Sequence, residues 1–377
     1  MSSALWWLGF AAGIAVLVGT AFSVVGTLVV PRSTNSRVSR ACERVVDMAF
    51  LLATRRVRGY ARRDRVLAWQ GPTALLVRLA VWMGLLVVGY ALISLPAVSG
   101  SLRLALGDAG SSLFTLGYAA PINTGSTAAD YLAAYTGLVV IGLQVGYLPT
   151  FYAAFNRRET LVTLLTSRAG VPAWGPEILA RTRWGISDGS SPGEVLTELF
   201  RAWEGWAADV AESHTTYPTL VRLRSPRPLS HWLTSLIAVM DAAALHLALV
   251  PGLEPRQPAR LCLRMGFVAL NQIARTLRVP VQDDPDPDAA ISIDFAQFAD
   301  AVDTLTAVGY PVEEPAQRAW ADFRGWRANY DASALALARV LDAPPALWSG
   351  DRRWPSTPIA PRRPPLRYPR GPVPPRG

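Results

Sequence analysis

Three stretches of this chain, Leu5 to Val30, Thr73 to Leu95 and Tyr131 to Phe155, are long, apolar and almost free of charge. A helix needs about 20 predominantly apolar residues to cross a hydrocarbon core of about 30 Å, because each residue advances it by about 1.5 Å. All three stretches meet that length. The first and third carry no charge, and the second carries only Arg78, close enough to one end for its aliphatic stem to carry the guanidinium toward the headgroups. Aromatic residues stand near the span ends, as they do at a membrane–water interface: Trp6 and Trp7 on the first, Tyr131, Tyr135, Tyr147, Phe151, Tyr152 and Phe155 on the third. The expected class is an all-α membrane protein with three transmembrane helices.

Arginine sets the expected sidedness. Between the first two spans lie Arg32, Arg37, Arg40, Arg44, Arg55, Arg56, Arg58, Arg62, Arg63 and Arg65, opposed only by Glu43, Asp47 and Asp64. A short loop with that bias stays in the cytoplasm. The N-terminus is then outside, and the third span leads back into basic Asn156-Arg157-Arg158 on the cytoplasmic side. The segment from Pro96 to Asp130, with Arg103 as its only basic residue, faces outward. A multi-pass protein of the cell membrane is expected. The net charge of +9 comes from arginine alone, since the chain has no lysine. Without an aromatic-interleaved basic patch this does not call for nucleic acid; anionic lipid headgroups are the nearer partner.

The expected domain order is a first transmembrane helix (1–30), a basic cytoplasmic linker (31–72), a two-helix segment (73–158), a cytoplasmic helical domain (159–350) and a disordered Pro/Arg-rich tail (351–377). The linker should hold a surface-lying amphipathic helix over residues 38–60. Helices are predicted at about 159–168, 176–184, 193–213, 230–250, 258–278, 292–307 and 314–341, with no run of strands. The stretch 230–250 is long enough to be a fourth span. Its midpoint Asp241 would cost roughly 2.5 to 3.5 kcal/mol in a bilayer, so burial in a helical bundle is the better reading. The histidines His214, His231 and His246 lack metal-ligand spacing and read as packing or capping groups. The run Asp283 to Asp288 lacks the glycine and terminal glutamate of a calcium loop and reads as a linker. Cys42 and Cys262 read as reduced thiols, and no catalytic or cofactor motif is present.

The connection between the second and third spans carries the most chemistry. Arg103 to Phe114 is expected to form a short re-entrant helix whose C-terminal end directs partial negative charge inward, favouring a cation. Thr115-Leu116-Gly117-Tyr118 would then return outward as an extended filter, completing a pore loop over 103–121. Non-helical backbone at membrane depth is tolerated where it lines a water-filled path, and there main-chain carbonyls and the Thr115 hydroxyl can replace water around an ion. On the third span Gly142, Gly146 and Pro149 are candidate gate or hinge positions, although glycine and proline are also common in membrane helices.

These residues resemble the potassium channels built from two transmembrane helices around one pore loop, whose filter pattern is Thr-X-Gly-Tyr-Gly. The resemblance covers about residues 73–158. It implies a homotetramer with potassium as the permeant ion, bound by the backbone carbonyls of Thr115, Leu116, Gly117 and Tyr118 and by the threonine hydroxyl. Glu212 to Pro218 and Pro344 to Ser349 are similar to segments of uncharacterised bacterial proteins that carry this channel domain, which implies no ligand. Ala119 stands where the pattern has a second glycine, and Ala120 where the family usually has aspartate. Two readings therefore stay open: a potassium-preferring cation-channel subunit, and a nonconducting membrane sensor or scaffold with a degenerate loop. Neither implies an enzyme or a cofactor.

Overall fold

The computed structural model describes residues 3–30, 36–119, 124–183, 191–350 and 357–363. Ala120 and Pro121 of the expected loop, and most of the tail from 351, lie outside the described residues. Among the described residues the structure is helical, and its only strand-like pairings are isolated bridges from Val171 to Arg362 and from Ala346 to Ile359. Internal packing divides the chain into two units. One comprises Met1–Asn156 with Ser213–Arg224, the other Arg157–Glu212 with Ser225–Gly377.

The first unit holds α1 (Ser3–Leu28), α2 (Arg37–Thr54), α3 (Tyr60–Leu67), α4 (Gln70–Ser94), α5 (Leu102–Leu113) and most of α6 (Thr124–Ala169). α1 lies along α4, and α5 packs against α4 from the other side of the sequence. Polar pairs tie these helices together: Trp82 Nε1 of α4 donates to Ser23 Oγ of α1 at 2.8 Å, and the Tyr90 hydroxyl of α4 lies 2.7 Å from the Thr136 hydroxyl of α6. The single linker helix expected over 38–60 is instead two. Gly59, at φ +87°, turns the chain between α2 and α3. Arg78 is buried within the protein. It is 3% exposed, and its guanidinium lies 5.3 Å from the Trp82 ring centroid, where the π face offsets part of its desolvation. The third span and the helix expected at 159–168 are one continuous helix of 46 residues. Asn156-Arg157-Arg158 contains no breaker that would separate them.

The second unit contains α7 (Gly175–Arg181), most of α8 (Pro192–Thr216), α9 (Trp232–Leu249), α10 (Arg256–Thr276), α11 (Phe295–Ala307) and α12 (Ala316–Val340). α9 is packed by α7, α10 and α12, and every one of its residues is buried. Four helices, α1, α4, α6 and α9, are long and apolar enough to cross a membrane. α9 presents no residue to acyl chains, as a bundle core helix should not. Its Asp241 is tolerated because Arg327, fully buried, donates to it from Nη1 while Tyr330 donates at 2.7 Å. The same guanidinium donates to Asp331 at 2.8 Å and to the Trp348 carbonyl at 2.7 Å. Burial opposes charge on Asp331, but Arg327 and the Ser292 hydrogen bonds outweigh it and hold this carboxyl below the usual range.

Candidate functional site

The site is built where α5 ends. Ser101 caps its start, accepting weakly from Leu104 N at 3.5 Å. Its end closes in a Schellman arrangement: Leu116 N donates to Ser111 O at 2.8 Å and Thr115 N to Ser112 O at 3.1 Å. That motif requires a left-handed residue after the cap, and the chain supplies Thr115 at φ +53°. Glycine is the usual occupant, and a β-branched residue there is strained. Gly117 is also left-handed, at φ +70°. Thr115, Leu116, Gly117 and Tyr118 are all exposed.

The extended return expected for these four residues is not what forms. The last carbonyls of α5 need donors, and the N–H groups of Thr115 and Leu116 satisfy them by folding the chain back over the helix end. Two further bonds hold the turn: Tyr118 donates its hydroxyl to Gly107 O at 2.8 Å, and Ala119 N donates to Ser111 Oγ at 3.1 Å. The four candidate residues remain adjacent, but as a capped turn rather than a strand.

Two acids stand behind the loop. Ser112 Oγ donates to Asp130 Oδ1 at 2.9 Å, tying α5 to the start of α6. Asp108, 6% exposed on the same helix, has no hydrogen-bond partner for either carboxylate oxygen among the described residues. Sequence reading passed over both, because a single acid in a short apolar connection carries no motif. The α5 end therefore carries the partial negative charge of a helix C-terminus, with the Asp130 carboxylate tied to it through Ser112.

α6 meets α5 through Gly137. A Cβ on this residue would overlap the Leu113 carbonyl oxygen and stand 3.2 Å from its carbonyl carbon, so only glycine lets the two backbones approach this closely. Ala133, Gly137, Val140, Gln144, Tyr147, Phe151 and Ala154 form the inward stripe of α6. Gly142, Gly146 and Pro149 lie on the opposite, exposed face, and nothing stands within 4 Å of a Cβ at either glycine. Neither glycine packs against another of the described residues. Pro149 removes the donor that the Val145 carbonyl would otherwise receive. Gln144 faces the interior, 5% exposed, rather than the open side.

The chain matches no protein-family model, no curated protein and no solved structure.

The remaining candidates from the sequence have structural work. His231 caps α9 by accepting from Leu233 N at 3.3 Å, and His246 Nδ1 lies 2.8 Å from the Tyr310 hydroxyl. Asp283 and Asp288 pair with Arg275 and Arg324. Cys42 and Cys262 are buried free thiols. Trp203 and Trp206 pack against each other with ring centroids 4.5 Å apart, inside the second unit.

Proposed function

We propose that this chain is a subunit of a cation channel, potassium-preferring and homotetrameric, in which Thr115, Leu116, Gly117 and Tyr118 contribute the ion path. The observation that carries the reading is the strained Thr115. Between two helices of membrane length stands a short helix whose cap position demands a left-handed residue, and it is filled by one that can offer an ion a hydroxyl as well as a carbonyl. Backbone strain of this kind is kept where the surroundings use it. Asp130 and the α5 C-terminus add a field that attracts cations and repels anions. The exposed face of α6, with Gly142, Gly146 and Pro149, is then the side available to an axial path and to neighbouring subunits.

The test is potassium against sodium flux into liposomes that hold the purified protein. Thr115→Gly should relax the turn by about 1 to 2 kcal/mol and raise the melting temperature, yet reduce potassium flux at least tenfold. Unchanged flux in Thr115→Gly, with the native protein conducting, rules this loop out as the path. A second reading is favoured by the closed turn itself. With Tyr118 bonded to Gly107 and Ala119 to Ser111, the loop can serve a nonconducting membrane sensor. Silence in the native protein together with flux in Ala119→Gly supports that alternative.

The basic linker supplies a partner surface for anionic lipid in the cytoplasmic leaflet. On α2 the apolar side chains Val45, Met48, Leu51 and Leu52 are exposed, flanked by exposed Arg44, Arg55, Arg56 and Arg58. Two of the linker's three acids, Asp47 and Asp64, are engaged in ion pairs and so offset these arginines little. Each exposed arginine near such a leaflet is worth about 1 kcal/mol. A triple Arg55→Gln, Arg56→Gln, Arg58→Gln protein should therefore retain several-fold less anionic lipid through purification, with zwitterionic lipid unchanged.

A further inference from the structure

Residues 213–224 follow the helical unit's chain and precede its return, yet they pack as part of the membrane unit. The excursion ends α8, makes a short 3-10 turn at Pro218–Arg222, and is followed by the segment that enters α9. Its apolar residues Leu220 and Leu223 are buried with Leu75 of α4 and with Tyr147, Phe151 and Ala154 of α6. Tyr217 meets Tyr147 edge to face, with ring centroids 5.4 Å apart. A Cβ on Gly71 would lie 2.5 Å from Leu223 Cδ2, so the start of α4 leaves space that this leucine fills.

Polar contacts tie the same residues to the linker helices. Arg222 holds Asp47 of α2 with both arms, Nε at 2.9 Å and Nη2 at 2.6 Å, the planar fork that arginine forms with a carboxylate. Arg224 Nη1 reaches Asp64 at 2.8 Å and the Tyr60 hydroxyl at 2.9 Å on α3. Thr219 donates to Glu43 at 3.4 Å. The excursion thus joins α2, α3, α4 and α6 at one level, and its contacts on α6 bracket Pro149, where the helix has lost a backbone bond.

We infer that residues 213–224 are a strap that restrains α6 around Pro149 and so sets the state of the path. What the strap regulates rests on the channel reading; the restraint itself does not. The strap needs no ligand of its own. Its ion pairs with α2 and α3 hold it in place, and its apolar side chains hold residues 147–154 of α6, where proline leaves the Val145 carbonyl without its helical donor.

The test uses the full-length protein with the Arg222 and Asp47 pair, which is partly exposed and so tolerates change. Arg222→Asp and Asp47→Arg are made singly and together, and amide hydrogen exchange over 147–155 is read beside potassium flux. Each single reversal should speed exchange over 147–155 at least tenfold, and the double swap should bring it back within about twofold of native. If exchange rises at 218–223 but stays native at 147–155 in both single variants, the strap does not restrain α6 and the inference is overturned. A conducting protein whose flux ignores both reversals, despite faster exchange, overturns the link to the path. A silent native protein with the predicted exchange pattern removes the channel reading and leaves the restraint standing.

Discussion

Gly137→Ala should lower the melting temperature and, on the proposed channel function, reduce potassium flux at least tenfold. The new methyl meets the Leu113 carbonyl group, a backbone obstacle that cannot rotate away, so the end of α5 must separate from α6. Overpacking of this kind costs about 1 to 3 kcal/mol. The displacement falls on the residue two places before Thr115, so the capped turn moves with it. Gly142→Ala and Gly146→Ala are the controls, because a Cβ at either meets nothing within 4 Å. In an exposed helix interior such a change gains about 1 kcal/mol of helix propensity, so both should melt at or above the native temperature. Thermal melts in detergent decide the structural half. A Gly137→Ala protein that melts and conducts like the native one would show that α5 and α6 do not meet as described.

Arg327→Met should destabilise the helical unit by about 3 to 5 kcal/mol, the loss expected when one partner of a buried ionic cluster is removed. Arg327 serves Asp241, Asp331 and the Trp348 carbonyl at once, from a position with no solvent exposure. Methionine fills much of the volume and strands two carboxylates and a carbonyl. Arg327→Lys should recover little, because one ammonium on a flexible stem cannot reproduce three directions of donation. Adding Asp241→Asn and Asp331→Asn to Arg327→Met should restore part of the loss, since amides are cheaper to bury than charges. Urea unfolding followed by tryptophan fluorescence measures this. A single Arg327→Met that unfolds at the native midpoint would sink the assignment of the cluster as the pin of this unit.

Apolar length was enough to find α1, α4 and α6, because a bilayer imposes a long unbroken run that few other environments require. Caps and proline found most of the helical unit to within a few residues; Ser191-Pro192 before α8 is an example. The break at Gly59 was missed because one glycine within an amphipathic pattern does not reveal whether the chain turns there. The fusion of the third span with the helix after it was missed because a change of solvent along a helix resembles a boundary in composition. At the candidate site, Thr115 and Gly117 were legible as residue types, but the turn they adopt is decided by the carbonyls of α5, which a linear pattern does not expose. Gly137 and the strap share one reason for invisibility. Each matters through a neighbour distant in sequence, as Arg222 does through Asp47 and Leu223 through Gly71.

The strap also decides how this protein can be taken apart. Because residues 213–224 leave one unit, lodge in the other and return, no single cut in the chain separates the two. A fragment beginning at Arg157 would carry Leu220 and Leu223 without Leu75, Tyr147 and Phe151, presenting to water a surface that the whole chain hides. A fragment ending at Asn156 would leave the same pocket open from the other side. Dissecting the two units requires replacing the segment between Glu212 and Ser225 rather than choosing a terminus.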